Sequence, residues 1–129
     1  MLPKAHKLGS SADFRRVTRT GTRAGTKTLV VHLAARTGSA LRGGPRFGLV
    51  VSKQVGNAVT RHAVSRKLRH VCREVGVDKL GRECDVVVRA LPGAATATSD
   101  TLRRDLGYAL DKAREKAEKK SRPAARGEQ

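Results

Sequence analysis

Residues 46–75 read Arg46-Phe47-Gly48-Leu49-Val50-Val51-Ser52-Lys53-Gln54-Val55-Gly56-Asn57-Ala58-Val59-Thr60-Arg61-His62-Ala63-Val64-Ser65-Arg66-Lys67-Leu68-Arg69-His70-Val71-Cys72-Arg73-Glu74-Val75. Two periods meet in this run. From Arg46 to Ser52 the pattern alternates, with Phe47, Leu49 and Val51 on one face and Gly48, Val50 and Ser52 on the other, as in a strand. Lys53 to Asn57 makes a turn. From about Ala58 to Val75 the apolar residues Val64, Leu68, Val71, Cys72 and Val75 recur at helical spacing and fall within about 100° of one another. His62, Ser65, Arg66, Arg69 and Arg73 occupy a second arc of about 100°, centred away from the first. The helix therefore has one apolar side and one cationic side.

Outward from this run the pattern continues on both flanks. Ser10-Ser11-Ala12-Asp13 predicts a helix start, with serine as cap and Asp13 where the dipole favours an acid. Phe14 and Val17 share one face of that helix, and Gly21 ends it. Thr28 to Ala35 alternates as a strand, with Leu29, Val31 and Leu33 opposite Val30, His32 and Ala34. Arg36 to Pro45 is rich in glycine and reads as a loop. Gly76 and Gly81 close the region after the cationic helix. Asp85-Val86-Val87-Val88 is continuously apolar, the mark of a central strand, and Pro92-Gly93 ends it. A last helix runs from about Asp100 to Lys116, with Leu102, Leu106, Ala109, Leu110, Ala113 and Ala117 in register and Ser99 as cap. The order is α-β-β-α-β-α, a sheet with helices packed on it in one domain, 1–116. Residues 117–129 lack apolar periodicity and are expected to form a basic, disordered tail.

The 129 residues include 28 Lys and Arg against 11 Asp and Glu, a formal charge of +17. Residues 1–73 hold 16 of the basic residues and one acid, Asp13, a net of +15, and residues 74–129 hold 12 and 10, a net of +2. So one-sided a field destabilises a compact chain unless a polyanion compensates it. Eighteen of the 28 basic residues are arginine, suited to bidentate phosphate contact and to stacking. Nucleic acid fits better than an anionic membrane, because no stretch pairs Lys or Arg with the apolar face of an interfacial helix. No run approaches the ~18 apolar residues of a membrane span. The amino-terminal Met1-Leu2-Pro3-Lys4-Ala5-His6-Lys7 lacks a signal-peptide core, so a cytoplasmic protein with reduced thiols is expected.

Little in the sequence supports independent catalysis. His6, His32, His62 and His70 are scattered without metal-ligand spacing. Cys72 and Cys84 make neither a disulfide framework nor a zinc site. Cys72 lies on the apolar stripe and reads as a core thiol. Ser65 has no neighbouring base, and the Gly43-Gly44 and Gly56-Asn57 pairs are not nucleotide loops. The cationic helix face, preceded by Lys53 and Arg61, is the strongest functional signal, and phosphate contacts are expected to dominate there.

The block from Arg46 to Arg61, followed by Arg66-Lys67-Leu68-Arg69, resembles the signature of the bacterial ribonuclease P protein subunit. Leu2-Pro3-Lys4, Leu8, Asp13-Phe14, Val17 and Gly21-Thr22-Arg23 are similar to the start of that family. Asp85-Val86-Val87-Val88-Arg89 before an amphipathic helix is similar to its end. The likeness covers about residues 2–115. It implies an α+β fold, an α/β sandwich with a small, mostly antiparallel sheet and a left-handed β-α-β crossover, an exception to the right-handed rule. It also implies a protein that assists a ribozyme, binding the catalytic RNA and the 5′ leader of precursor tRNA, with Mg2+ held mainly by RNA and no obligate protein partner.

By position, the family's contacts with the catalytic RNA fall on Arg61, Arg66 and Arg69, with Lys67 nearby, and the same helix face adds His62, Ser65 and Arg73. The leader cleft of the family maps to Phe14 on the first helix, Val30 and His32 on the first strand, and Val50, Ser52 and Lys53 on the second. Phe14 suits core packing as well as a cleft wall, and Phe47 is placed in the core under the cationic helix. The sequence departs from the family at four points. Arg61-His62-Ala63 stands for the usual Arg-Asn-Arg, Ser65 for a basic residue, and Thr18 and His32 for aromatics. Two other functions compete: a ribosomal-protein-like RNA binder, and a stand-alone nuclease, which the absence of a carboxylate cluster in residues 1–73 disfavours.

Overall fold

The computed structural model describes residues 11–35, 45–76 and 84–120. The loop expected over 36–44, the glycine at 81, the amino-terminal segment and the tail from 121 lie outside them. The elements are α1 (Ser11–Thr20), β1 (Thr22–Gly25), β2 (Leu29–Ala35), β3 (Arg46–Val50), α2 (Ala58–Val71), β4 (Cys84–Ala90) and α3 (Ser99–Lys120). A π-helical turn, Cys72–Gly76, finishes α2, and a 3₁₀ turn, Pro92–Thr96, precedes α3.

The four strands stand in the order β1-β2-β4-β3. β1 and β2 pair antiparallel, β2 and β4 pair antiparallel, and β3 lies parallel to β4 through the α2 crossover. The fold is thus α+β with a mixed, mostly antiparallel sheet. β4, whose middle is the apolar run Val86–Val88, is central as expected, and these three valines are all buried.

Sequence periodicity missed β1. Thr22-Arg23-Ala24-Gly25 has no apolar run, and only pairing with β2 makes it a strand, so the order is α-β-β-β-α-β-α. Its Thr22 and Ala24 turn inward, and the Thr22 hydroxyl donates to the Ala113 carbonyl at 3.0 Å.

One sheet face carries the main core. Leu29, Val31, Leu33, Phe47, Val86 and Val88 meet Val64, Leu68, Val71 and Cys72 of α2 and its π turn, and Leu102, Leu106, Ala109, Leu110 and Ala113 of α3. Each fully buried aliphatic or aromatic side chain there contributes about 1.5–3 kcal/mol. Phe47 lies under α2 as its alternation required. Burial pushes the Cys72 thiol up to about 12, as befits a core residue.

Helix ends differ from expectation by small steps. Asn57 caps α2, its Oδ1 accepting from the Thr60 N–H at 2.9 Å. Thr98 rather than Ser99 caps α3, accepting from the Thr101 N–H at 3.1 Å. α3 continues to Lys120, past the expected end at 116, because Ala117 still packs against the core.

Candidate nucleic-acid interface

The second sheet face is only half covered. Strand register aligns three rows across it: Ala34, Asp85 and Arg46; then Arg23, His32, Val87 and Gly48; then Gly25, Val30, Arg89 and Val50. α1 covers the first row and part of the second. Val17 packs on Val87, with Phe14, Ala34 and Val50 around them. The third row, with Arg23 and His32, is left open.

α1 is held there by charge. Asp85, fully buried, accepts from Arg46 through Nε at 2.8 Å and Nη2 at 2.7 Å, and from Arg16 Nη2 at 2.5 Å. Asp13, the one acid of the basic half, lies 3.7 Å from Arg16 and 3.8 Å from Arg46. The hydrogen bond to Asp85 raises the Arg46 guanidinium above its ordinary pKa. A charge buried this far is tolerated because it is paired and doubly bonded. Arg16 and Arg46 therefore serve the fold, and they fix where α1 ends and the open face begins.

The open half forms a groove of about 370 Å³ lined by Arg23, Val30, His32, Val50, Ser52, Gln54, Arg89, Ala90 and Leu91. Four cleft residues expected from sequence, Val30, His32, Val50 and Ser52, come together here. Phe14 does not line the groove: its ring is half-buried over Gly48, at the covered end of the same face. Lys53 is exposed on the turn after Ser52, also outside the lining.

Arg23 and Arg89 are groove residues that sequence reading did not find. Arg23 was hidden because β1 was not recognised. Arg89 was legible in principle, as an alternate position on β4. His32 sits beside both, directly opposite Arg23 in the strand register. Its Nδ1 is buried and finds no hydrogen-bond partner among the described residues. Burial, then the charges of Arg23 and Arg89, push its pKa below the ordinary 6.5. Among the described residues the groove lining thus offers two guanidinium groups, an imidazole and two valine side chains, and no acid. Such a surface suits a single-stranded polyanion whose bases contact the apolar floor.

The second cationic feature is α2. His62 and Arg66 are exposed and Ser65 and Arg69 half-exposed, while Arg73 is exposed on the π turn. No acid occurs in Ala58–Val71. Glu74 just beyond it turns to α3, where Arg103 Nη2 lies at 2.9 Å; the hydrogen bond from Arg103 holds its carboxyl below the usual carboxylate range. Arg61, His62 and Ser65 line a shallow hollow of about 180 Å³ with Val51 and Ala58, and Arg61 Nε is buried there without a partner. Lys67 is different: its Nζ donates to the Ala97 carbonyl at 3.2 Å and ties α2 to the turn before α3.

Among the described residues no three His, Cys, Asp or Glu side chains gather as metal ligands. The carboxylates of Asp13 and Asp85 face arginines. No helix among them is long and apolar enough to cross a membrane.

Comparison with known proteins agrees with this geometry. The family model described as Ribonuclease P matches residues 2–114. The Ribonuclease P protein component of Corynebacterium diphtheriae is 56% identical over 115 residues, covering 87% of this chain and 96% of that protein. Its counterpart in Rhodococcus opacus is 52% identical over 113 residues, covering 85% of this chain and 90% of that protein. The solved RNase P protein of Staphylococcus aureus superposes with a TM-score of 0.72 at 27% identity, covering 85% of this chain and 96% of that one. With the match spanning the acid-free helix, the groove strands and the helices that position them, the chain belongs to the ribonuclease P protein family.

Proposed function

We propose that this chain, as the protein component of ribonuclease P, binds the catalytic RNA through α2 and the 5′ leader of precursor tRNA in the sheet groove. It thereby promotes endonucleolytic 5′ maturation of tRNA in the cytoplasm, with cleavage chemistry and its Mg2+ ions residing in the RNA. The observation that carries this reading is the acid-free groove on the uncovered half of the sheet, flanked by Arg23 and Arg89. Exposed Arg66 and half-exposed Arg69 supply phosphate contacts on α2, and the helix is rigid because its other side is core.

The protein acts by differential binding. Groove contacts with the leader add affinity for precursor over mature tRNA, and cations near the RNA lower the concentration of Mg2+ it needs. Reconstitution with the catalytic RNA tests this. Cleavage of precursor tRNA at low Mg2+ should rise on adding the protein, and affinity should rise more for a leader-bearing than for a leaderless substrate. Equal gains for both substrates would remove the groove assignment. Recovery of ribosomal RNA alone with the purified protein would overturn the function.

A further inference from the structure

From Tyr108 onward, α3 is electrically split. At 100° per residue, Tyr108, Lys112, Lys116 and Lys119 fall within an arc of about 80°. Asp111, Glu115 and Glu118 lie to the other side, where they line a separate hollow with Arg114. The lysine side adjoins the sheet edge: Lys116 Nζ donates to the Arg23 carbonyl of β1 at 2.7 Å. Gly21, Thr22, Arg23, Lys116 and Lys119 surround an open hollow of about 470 Å³, with no acid among the described residues of its lining. Further along, Lys112 Nζ stands 5.8 Å from the centre of the Tyr108 ring, which is 56% exposed. Glu115, 3.9 Å from Lys112, borders this side.

A surface kept for solubility intersperses charges of both signs. Here the signs are separated, and the positive side carries an exposed aromatic ring. Arg23 belongs both to this hollow and to the sheet groove, so the two surfaces are continuous around the β1 edge. We propose that the β1 edge and the Tyr108–Lys119 stripe of α3 form a further RNA-binding surface, which takes single-stranded RNA continuing out of the groove. Lys116, Lys119 and Lys112 meet successive phosphates, and the Tyr108 ring is the platform for one base. This surface rests on the leader-binding role of the groove, and it assigns the leader segment that lies beyond the groove's reach.

The test uses the holoenzyme and precursor tRNAs with leaders of about 4 and about 16 nucleotides, the range of site sizes in single-strand grooves. The variant Lys112→Gln/Lys116→Gln/Lys119→Gln keeps an amide donor for the Arg23 carbonyl. It should bind the long-leader substrate about tenfold more weakly and lower the salt slope for that substrate by about 2, near 0.7 per phosphate contact. Affinity for the short-leader substrate and for the catalytic RNA should not change. Tyr108→Ala should weaken only the long-leader substrate, and Tyr108→Phe should restore it, since stacking needs the ring alone. Equal loss on both leaders, loss of catalytic-RNA affinity, or no loss at all would overturn the proposal. If the unaltered holoenzyme ignores the leader altogether, the groove assignment fails first, a result distinct from a wild-type leader preference that these variants leave intact.

Discussion

The tip of the Phe14 ring rests on Gly48: a Cβ built on Gly48 would lie 2.3 Å from the ring's Cζ. α1 can therefore sit down on β3 only because residue 48 has no side chain, and this contact sets how much of the sheet stays open. Gly48→Ala should cost about 1–3 kcal/mol by overpacking, read as a lower midpoint in chemical denaturation. Most of that cost should vanish in a Phe14→Ala background, where the clash has been removed. If the two substitutions instead add independently, the contact does not control how α1 docks.

Asp85 gathers Arg16 and Arg46 beneath the same helix. Its side chain is 0% exposed, whereas those of Arg16 and Arg46 are 26% and 25% exposed. Asp85→Asn should destabilise the fold by about 3–5 kcal/mol, because two guanidinium groups lose the charge that holds them. Asp13→Asn should cost less than about 1 kcal/mol, since Asp13 is 30% exposed and stands 3.7 and 3.8 Å from Arg16 and Arg46. Urea titration of the two variants checks the ratio.

His32 gives the groove a dependence on pH. Its pKa is lowered in the folded chain, so below the ordinary 6.5 the unfolded chain takes up a proton that the folded chain refuses. Stability from this residue is fully present above about pH 6.5 and falls as the pH drops through the lowered value. His32→Gln should flatten that part of the stability curve. Leader affinity should move the opposite way and strengthen on acidification, because a bound phosphate offsets Arg23 and Arg89 and favours the imidazolium. A leader affinity in the unaltered protein no more sensitive to pH than in His32→Gln would refute the coupling.

The cations of α2 should separate into two classes. Arg66→Gln and Arg69→Gln should leave stability within about 0.5 kcal/mol while weakening binding to the catalytic RNA. Each should lower the salt slope by about 0.9 if the contact is with a duplex. Lys67→Met should do the reverse: it removes the bond to the Ala97 carbonyl and loosens the packing of α2 on the turn before α3. Paired thermal melts and filter binding distinguish the classes.

Local periodicity was enough for the long elements. Alternation around Phe47 and Val50, the apolar stripe from Val64 to Val75, and the continuous valines of β4 each report burial along the chain itself, and burial chose the strand or helix. Charge partition was equally legible, because a count needs no coordinates, and it pointed to a polyanion. The family resemblance named Val30, His32, Val50 and Ser52 together, and the structure sets all four in one groove lining, on strand positions that alternation turns away from the main core.

Tertiary structure decided what depends on cross-chain pairing. β1 exists because β2 lends it hydrogen bonds, and without β1 neither Arg23's place in the groove nor the hollow at the α3 edge could be read. Lys67 carries the same charge as its neighbours, yet it bonds to a carbonyl thirty residues away. Arg16 and Arg46 count toward a cationic half but lie on a carboxylate from the other half of the chain. The sequence by itself determined the sign and the amount of charge. Which cations stay exposed and which hold the fold was decided only in three dimensions, because a charged group's role is set by the nearest opposite charge, and that neighbour is distant in sequence.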